Sequence, residues 1–161
     1  MALAQSLDRR EHDTKRRLRF WLRLYAATSV IEREMRRFLR ARFATTLPRF
    51  DLMAALERAP DGLSMGDLSK RLMVTGGNVT AVVDGLEHDG LVARRQPASD
   101  RRTSYVALTA RGRAAFAVMA REHEQWIDRL LAEIGDDEVD RLASLLGDLK
   151  HGAETNVERA R

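Results

Sequence analysis

Hydrophobic positions recur at helical spacing over most of the chain. Between Lys15 and Phe43 there is neither proline nor glycine, and apolar side chains fall at steps of three or four residues, which predicts one long amphipathic helix. Its main stripe comprises Trp21, Leu24, Thr28, Ile31, Met35 and Phe38, and Phe20, Ala27, Val30 and Leu39 widen it. A stripe this wide needs more than one packing partner, and the second can be another subunit.

Shorter helices are predicted on both sides of residue 70. One follows Pro48, carries its apolar residues on one face and stops at Pro60–Gly62. The segment Ser64–Asp67 has the form of a capping box, and the helix behind it runs to about Leu72. Thr75 is a candidate N-cap for the next helix, which ends at Asp89–Gly90.

The helical period breaks after Gly90. Residues Leu91–Arg95 and Thr103–Leu108 alternate as strands around a turn-rich connection, which predicts a hairpin. Thr109 is expected to cap a helix that ends at Gly135, and a last helix begins with the acidic residues after it.

These elements predict a mainly α fold with a small β-hairpin wing. Two helices joined by a short turn and followed by a hairpin form a winged helix-turn-helix domain, assigned to residues 46–109. Residues 15–45 and 110–155 are assigned to a helical dimerisation region, and residues 1–14 to a flexible N-terminus.

Composition excludes several kinds of chemistry. There is no cysteine, so disulfides, thiolate metal sites and thiol redox sensing are excluded. The four histidines (His12, His88, His123 and His151) do not share a metal-ligand spacing on one element. Because no P-loop, dinucleotide-binding or nucleophile motif is present either, we expect no enzyme activity, metal or cofactor. No membrane-spanning or signal segment is expected, which favours a cytoplasmic protein.

Basic residues are unevenly distributed although the net charge is only +4. Residues 9–42 hold 12 basic and 4 acidic side chains, and residues 91–113 hold 6 arginines and a single acid. Residues 121–161 hold 6 basic and 11 acidic side chains. A basic stretch in a turn-rich segment indicates a polyanionic partner, with a solvated charged face as the alternative.

The start of the predicted recognition helix has the side chains that a DNA major groove requires. Thr75 and the first backbone amides can bind phosphate, while Gly76 and Gly77 allow close approach to a duplex. Asn78 can pair with an adenine edge, and Thr80 can contact a base or a thymine methyl. Alternatively, the two glycines form only a turn and Asn78 only a cap.

The hairpin carries the second set of candidate DNA contacts. Its tip holds Asp100, Arg101 and Arg102, and an arginine there can enter a narrow minor groove while the aspartate fixes its direction. Arg94 and Arg95, in the first strand, can meet phosphates. An ordinary polar hairpin with an incidental ion pair is the alternative.

The run from Leu68 to Gly112 resembles the MarR family of bacterial transcription regulators. The family pattern combines "LE..GLV.R", a wing "D.R" and "LT..G". Here these are Leu86-Glu87, Gly90-Leu91-Val92 and Arg94, then Asp100 with Arg102, then Leu108-Thr109 with Gly112. Weaker similarity in the flanking helices extends the resemblance over about 140 residues.

The resemblance implies a homodimer whose N- and C-terminal helices intertwine and whose two winged modules bind a palindromic operator in double-stranded DNA. In that pattern Arg102 is the minor-groove residue and Asp100 its partner. Two positions that are often basic in the family are Ala81 and Gly85 here, so some phosphate contacts are in doubt.

The resemblance also implies a small-molecule inducer, either an aromatic acid or its CoA thioester. The corresponding pocket walls comprise Trp21, Tyr25, Phe50, Met53, Phe116 and His123, with Arg23 or Arg37 as the anion partner. Alternatively, the aromatic residues belong to the dimer core, the arginines are solvated, and His123 is an ordinary core histidine.

The leading hypothesis is therefore a homodimeric, ligand-responsive repressor. An architectural DNA-binding protein without an inducer is the second hypothesis. A winged-helix interaction module that has lost DNA binding is the third.

Overall fold

The molecule is mainly helical and carries one small antiparallel sheet. A computed structural model describes the backbone of residues 2–72, 76–95 and 104–159, with side chains from Asp13 onward. The elements are α1 (Ala2–Phe43), α2 (Leu47–Glu57), β1 (Leu63–Ser64), α3 (Met65–Leu72), α4 (Gly76–His88), β2 (Val92–Arg95), β3 (Tyr105–Leu108), α5 (Ala110–Leu131) and α6 (Asp136–Arg159). This arrangement confirms the predicted fold class.

The chain divides into two compact units, residues 1–116 and 117–161, with α5 running from the first into the second. The residues of each unit are described separately below. None of the helices in the described ranges is long and apolar enough to cross a membrane.

Helix α1 is longer than predicted because it begins at Ala2, not near Lys15. The added segment contains no glycine or proline, and its alanines, leucines and arginines favour helix. The polar character of residues 1–14 predicts a flexible N-terminus, whereas the backbone of residues 2–14 is helical. The C-terminal end falls at Phe43, as expected, and Ala44 follows with φ at 50°.

The core of the first unit is formed where α2, α3 and α4 pack together. Each of these helices directs its apolar stripe inward, and the most deeply buried side chains include Leu52, Met53, Leu56, Leu68, Val79, Val83 and Leu86. Full burial of such a side chain stabilises the fold by about 1.5–3 kcal/mol. The inward stripe of α4 therefore fixes which of its faces is exposed.

The sheet has the order β1–β3–β2 and is antiparallel throughout. Strands β2 and β3 form the predicted hairpin, with Val92 opposite Leu108 and Arg95 opposite Tyr105. The two-residue strand β1 was not predicted, since Leu63–Ser64 is too short to show alternation. It pairs with β3 through Leu63 opposite Val106 and Ser64 opposite Tyr105.

Ser64 has two structural roles because it ends β1 and precedes α3. Its hydroxyl oxygen accepts a hydrogen bond from the Asp67 backbone amide at 3.1 Å, and the hydroxyl donates to the Asp67 carboxylate at 2.7 Å. The predicted cap is therefore present, with its acidic partner bonded to the serine side chain. The same residue joins the sheet to the first turn of α3.

The start of α5 is fastened to the start of the hairpin. The Thr109 hydroxyl donates to the Gly90 carbonyl at 2.8 Å and accepts from the Gly112 amide at 2.9 Å, so the predicted cap is present. A Cβ atom at Gly112 would lie 1.9 Å from the Leu91 carbonyl oxygen. Only glycine allows α5 to pass this close to the backbone.

The second unit contains most of α5 and all of α6. Helix α6 runs to Arg159, which is four residues beyond the predicted end of the helical region at residue 155. No described residue of α6 is buried. Its exposed apolar side chains comprise Val139, Leu142, Leu145, Leu146, Leu149 and Val157. A contiguous apolar face of this kind is typical of an interaction surface.

Candidate nucleic-acid interface

The first two turns of α4 present the predicted contact residues to solvent. Val79 and Val83 point into the core, and the helical period therefore turns Gly76, Gly77, Asn78 and Thr80 outward, where all four are exposed. The first amides of a helix have no acceptor within it, so this end provides free N–H donors and a positive dipole. The predicted N-cap, Thr75, lies outside the described residues.

Neither glycine at the start of α4 is required by packing inside the protein. A Cβ atom at Gly77 would meet nothing within 4 Å, and one at Gly76 would meet only the Ser69 hydroxyl at 3.9 Å. Both positions would therefore accept a larger residue without strain. Because these two positions have no side chain, a partner can come close to the helix backbone from outside.

Thr80 uses its hydroxyl proton within the helix. The hydroxyl donates to the Gly76 carbonyl at 3.1 Å, which leaves the oxygen lone pairs and the γ-methyl for an external partner. In a major groove, Thr80 can accept a hydrogen bond from a base amine or contact a thymine methyl. It cannot at the same time donate to a phosphate.

Arg94 joins the first wing strand to α4. Its guanidinium forms ion pairs with Asp84 and Glu87, and its backbone amide donates to Glu87 Oε1 at 3.1 Å. The hydrogen bond that Arg94 donates to the Asp84 carboxylate, assisted by the charge of Glu87, raises the pKa of Arg94 above its ordinary value. We call this group of three residues the Arg94 clamp.

The Arg94 clamp distinguishes the two arginines that were predicted as phosphate contacts. Both are exposed, but the guanidinium of Arg94 is directed to the two carboxylates of α4. Arg95, the next residue, has no ion pair with any carboxylate of the described residues. The structure thus gives Arg94 a positioning contact that the sequence reasoning missed, while Arg95 faces solvent at the end of β2.

A second ion pair fastens α2 to the C-terminal end of α4. Arg49 pairs with Asp89, and hydrogen bonding to Arg49 lowers the pKa of the Asp89 carboxyl. A Cβ atom at Gly85 would lie 3.7 Å from an Arg49 side-chain nitrogen, in ordinary contact. Gly85 therefore lies beside an arginine that is supplied by α2.

The remaining predicted wing residues, Asp100, Arg101 and Arg102, lie outside the described residues. The structure describes the base of the wing, where β2 and β3 pair from Val92 to Arg95. This base carries Arg94 and Arg95 on the exposed part of β2.

Among the predicted pocket residues on α1, two aromatic side chains form an exposed pair. Trp21 and Tyr25 stack with ring centroids 5.6 Å apart, and they are 55% and 61% exposed. Arg37, about three turns beyond Tyr25 on the same helix, pairs with Glu34 at 3.4 Å. An anionic ligand would have to displace this carboxylate or share the guanidinium with it.

The other predicted pocket residues are more enclosed. Phe50 and Phe116 pack with ring centroids 5.5 Å apart, and Met53 is 1% exposed. These three side chains belong to the core of the first unit. His123 lies in the second unit, where Trp126 stacks on it at 6.2 Å and burial lowers the pKa of its imidazole.

Comparisons with known proteins identify the same architecture. A model of the MarR family matches residues 45–103. The repressor YetL of Bacillus subtilis is 34% identical over 102 residues, which cover 63% of this chain and 61% of YetL. The chain spans about three fifths of the length of the first curated relatives that it matches.

Solved structures extend the similarity over more of the chain. A MarR family transcriptional regulator from Silicibacter pomeroyi is 34% identical, with a TM-score of 0.70, and the match covers 86% of this chain and 96% of that one. FabT of Streptococcus pneumoniae, solved in complex with DNA, shares the fold at 24% identity and a TM-score of 0.72, covering 85% and 96%. With a matching family model and a relative aligned over nearly its whole length, this chain belongs to the MarR family of transcription regulators.

Proposed function

We propose that the protein is a homodimeric transcriptional repressor that binds a palindromic operator in double-stranded DNA and is released by a small-molecule inducer. The observation that carries this proposal is the exposed glycine-led start of α4, held to the base of the wing by the Arg94 clamp. Such an arrangement can direct one element to a major groove and the other to the adjacent minor groove.

The proposed dimer is supported by apolar residues that remain exposed in a single chain. On α1, Trp21, Leu22 and Tyr25 are about half exposed or more, and α6 has an apolar face with no buried residue. Removing such surfaces from water is the main driving force for stable association. Two copies related by a twofold axis would present two recognition helices to an inverted repeat.

The proposed repressor role is supported by the similarity to YetL, which is named a repressor. The proposed inducer is an aromatic acid or its CoA thioester, bound by Trp21, Tyr25, Phe50, Met53, Phe116 and His123 with Arg37 as the anion partner. The exposed Trp21–Tyr25 stack supports an aromatic ligand. As a DNA-binding transcription regulator, the protein would act in the cytoplasm.

The main test is operator selection followed by a binding titration. Sequences selected from random duplexes should contain an inverted repeat with half-sites about 10 bp apart, and affinity should fall steeply with salt. Arg102→Ala should weaken operator binding by at least about 1 kcal/mol, the scale of a specific contact. Arg58→Ala, which removes an exposed arginine just after α2, is the matched control and should leave affinity unchanged.

Two results would contradict the proposal in different ways. Equal affinity for the selected sequence and for random duplex would favour an architectural DNA-binding protein. Absence of duplex binding at about 50 mM salt, where electrostatic attraction is strong, would favour an interaction module. Aromatic acids and thioesters titrated into the protein–operator complex test the inducer: release of DNA, with a change in Trp21 fluorescence, is expected.

A further inference from the structure

The N-terminal half of α1 carries a run of basic side chains that is not interrupted by an acid. Between Asp13 and Glu32 there is no aspartate or glutamate, and the five basic residues of this stretch are Lys15, Arg16, Arg17, Arg19 and Arg23. All five are exposed. This charge belongs to α1 and not to the recognition helix or the wing, so the proposed operator contacts leave it unused.

Three of these residues form a narrow strip along the helix. At 3.6 residues per turn, Arg16, Arg19 and Arg23 lie within an arc of about 60°. Arg16 pairs with Asp13 at 3.4 Å, whereas Arg19 and Arg23 form no ion pair within the described part of the chain. Like charges one turn apart destabilise a helix unless an anion compensates them. We call these three residues the arginine strip.

The arginine strip lies on a different side of α1 from the exposed aromatic pair. Arg19 and Arg23 are about 120–160° from Trp21 and Tyr25 around the helix axis. In the proposed dimer, a second copy would cover the apolar side that carries the two rings. The arginine strip would then remain exposed.

The acidic side chains of α6 are separated from its apolar face in the same way. Asp140 and Asp148 are about 120–160° from Leu142 and Leu146 around that helix. A dimer that is joined through apolar faces would therefore leave these acids on the outer side of α6. For this reason an external polyanion fits the arginine strip better than the acids of a second copy do.

The arginine strip begins well beyond the part of α1 that accompanies the recognition helix. Glu32 of α1 lines one cleft with Asp51 of α2 and Asn78 of α4, which places this turn of α1 beside the start of α4. Measured along the axis from Glu32, Arg23 is about 14 Å away and Arg16 about 24 Å away. The strip is therefore separate from the half-site contact that α4 would make.

A phosphate backbone has the chemistry that the arginine strip requires. Duplex DNA carries one negative charge per about 1.7 Å of its axis, so several phosphates would face a strip that is about 10 Å long. Guanidinium groups bind phosphate oxygens in a bidentate manner. The stretch between Asp13 and Glu32 contains no asparagine or glutamine, which favours contact with the backbone over reading of adenine edges.

We propose that the arginine strip binds the phosphate backbone of a second double-stranded DNA segment while α4 and the wing hold the operator. A dimer then carries two strips in addition to two reading surfaces, and it can join two DNA segments without recognising bases in the second one. Only the operator-bound part of this assembly rests on the proposed function.

The test follows energy transfer between two labelled duplexes. The full-length protein is saturated with donor-labelled operator, and an acceptor-labelled duplex of random sequence is added at about 50 mM salt. We expect energy transfer without loss of the operator. The strip variant R16Q/R19Q/R23Q should bind the second duplex at least about tenfold more weakly. The control variant R129Q/R141Q/R159Q removes the same charge at exposed positions of the second unit and should bind it unchanged.

Salt dependence provides a second measurement on the same complexes. The logarithm of the binding constant falls linearly with the logarithm of the salt concentration, and each arginine removed from a phosphate lowers the slope by about one. For the second duplex, the strip variant should therefore show a slope that is smaller by up to about three. The control variant should keep the slope of the unsubstituted protein.

Four results would overturn the proposal. These are the absence of energy transfer in the unsubstituted protein and an equal loss of affinity in the strip and control variants. A strip variant that is monomeric on size-exclusion chromatography would assign the arginines to the dimer contact. Binding of phosphatidylglycerol vesicles in place of the second duplex would assign them to a lipid surface.

Failure of the proposed function is recognised separately. If no operator can be selected, the random duplex is titrated alone, and a smaller salt slope in the strip variant but not in the control variant supports the strip although the proposed function fails. If the operator is bound and no second duplex joins it, the proposed function stands and the strip assignment fails.

Discussion

At the scale of single residues, Arg94 holds the first wing strand against α4 and also adds positive charge to the candidate nucleic-acid interface. Its guanidinium pairs with Asp84 and Glu87, whereas its neighbour Arg95 is exposed and has no such pair among the described residues. The two positions therefore separate a structural arginine from one that is available to phosphate.

We expect Arg94→Gln to lower the free energy of unfolding by about 1 kcal/mol, since solvent partly screens an ion pair whose Arg94 side chain is 33% exposed and whose Asp84 side chain is 58% exposed. Arg95→Gln, the matched control, should change it by less than about 0.5 kcal/mol. Urea unfolding of both variants measures this. Identical unfolding curves would mean that the clamp does not stabilise the protein.

Gly77 allows folding and DNA binding to be separated. Because a Cβ atom there meets nothing within 4 Å, Gly77→Ala should raise stability by up to about 1 kcal/mol through helix propensity. The added methyl should nevertheless weaken operator binding if the backbone approaches the duplex. Gly147→Ala in α6, which is equally open, should raise stability and leave operator affinity as it was. If Gly77→Ala raises both the stability and the operator affinity, the backbone at this position does not approach the duplex closely.

At the scale of elements, the junction of hairpin and α5 depends on a glycine in a helical first turn. Gly112→Ala would force a Cβ atom against the Leu91 carbonyl oxygen, so the free energy of unfolding should fall by about 1–3 kcal/mol. Gly66→Ala is the control, since this glycine also lies in a first turn but has only the Ser64 hydroxyl at 3.8 Å. Thermal unfolding compares the two, and similar midpoints would contradict the close contact.

The sequence predicts well those elements whose apolar periodicity begins or ends at a capping residue or a turn glycine. Thr109 and Ser64 cap their helices as expected, and Gly90 separates helix from hairpin with φ at 69°. Strand β1 was missed because two residues cannot show alternation. The start of α1 was missed because the many charged residues of this segment suggested a flexible terminus, although a charged segment can also be helical.

Contacts between distant residues were less accessible to sequence reasoning. Arg94 was recognised as basic and exposed, but its pairing with Asp84 depends on how β2 packs beside α4, which spacing alone does not give. Likewise, Asp51 and Arg36 show no shared motif, and only the packing of α1 against α2 brings them to one cleft.

At the scale of the whole molecule, the exposed apolar face of α6 leads to a prediction about assembly. Leu146→Arg places a charge in this face and should convert the proposed dimer to a monomer at micromolar concentration, because a buried unpaired charge is costly. Ser144→Arg, which projects from another side of the same helix, should remain dimeric. Light scattering after size-exclusion chromatography distinguishes the two species. A dimeric Leu146→Arg variant would exclude this face from the interface.

The Arg94 clamp has a consequence for which operators the protein accepts. Because the base of the wing is tied to the recognition helix, the two probes of one subunit keep a constant separation. In the proposed complex, the spacing of the wide and narrow grooves of the duplex must match that separation, so the protein selects for local helical twist as well as for base sequence. Sites with every contacted base intact should still differ in occupancy when the stiffness of the uncontacted steps between them differs.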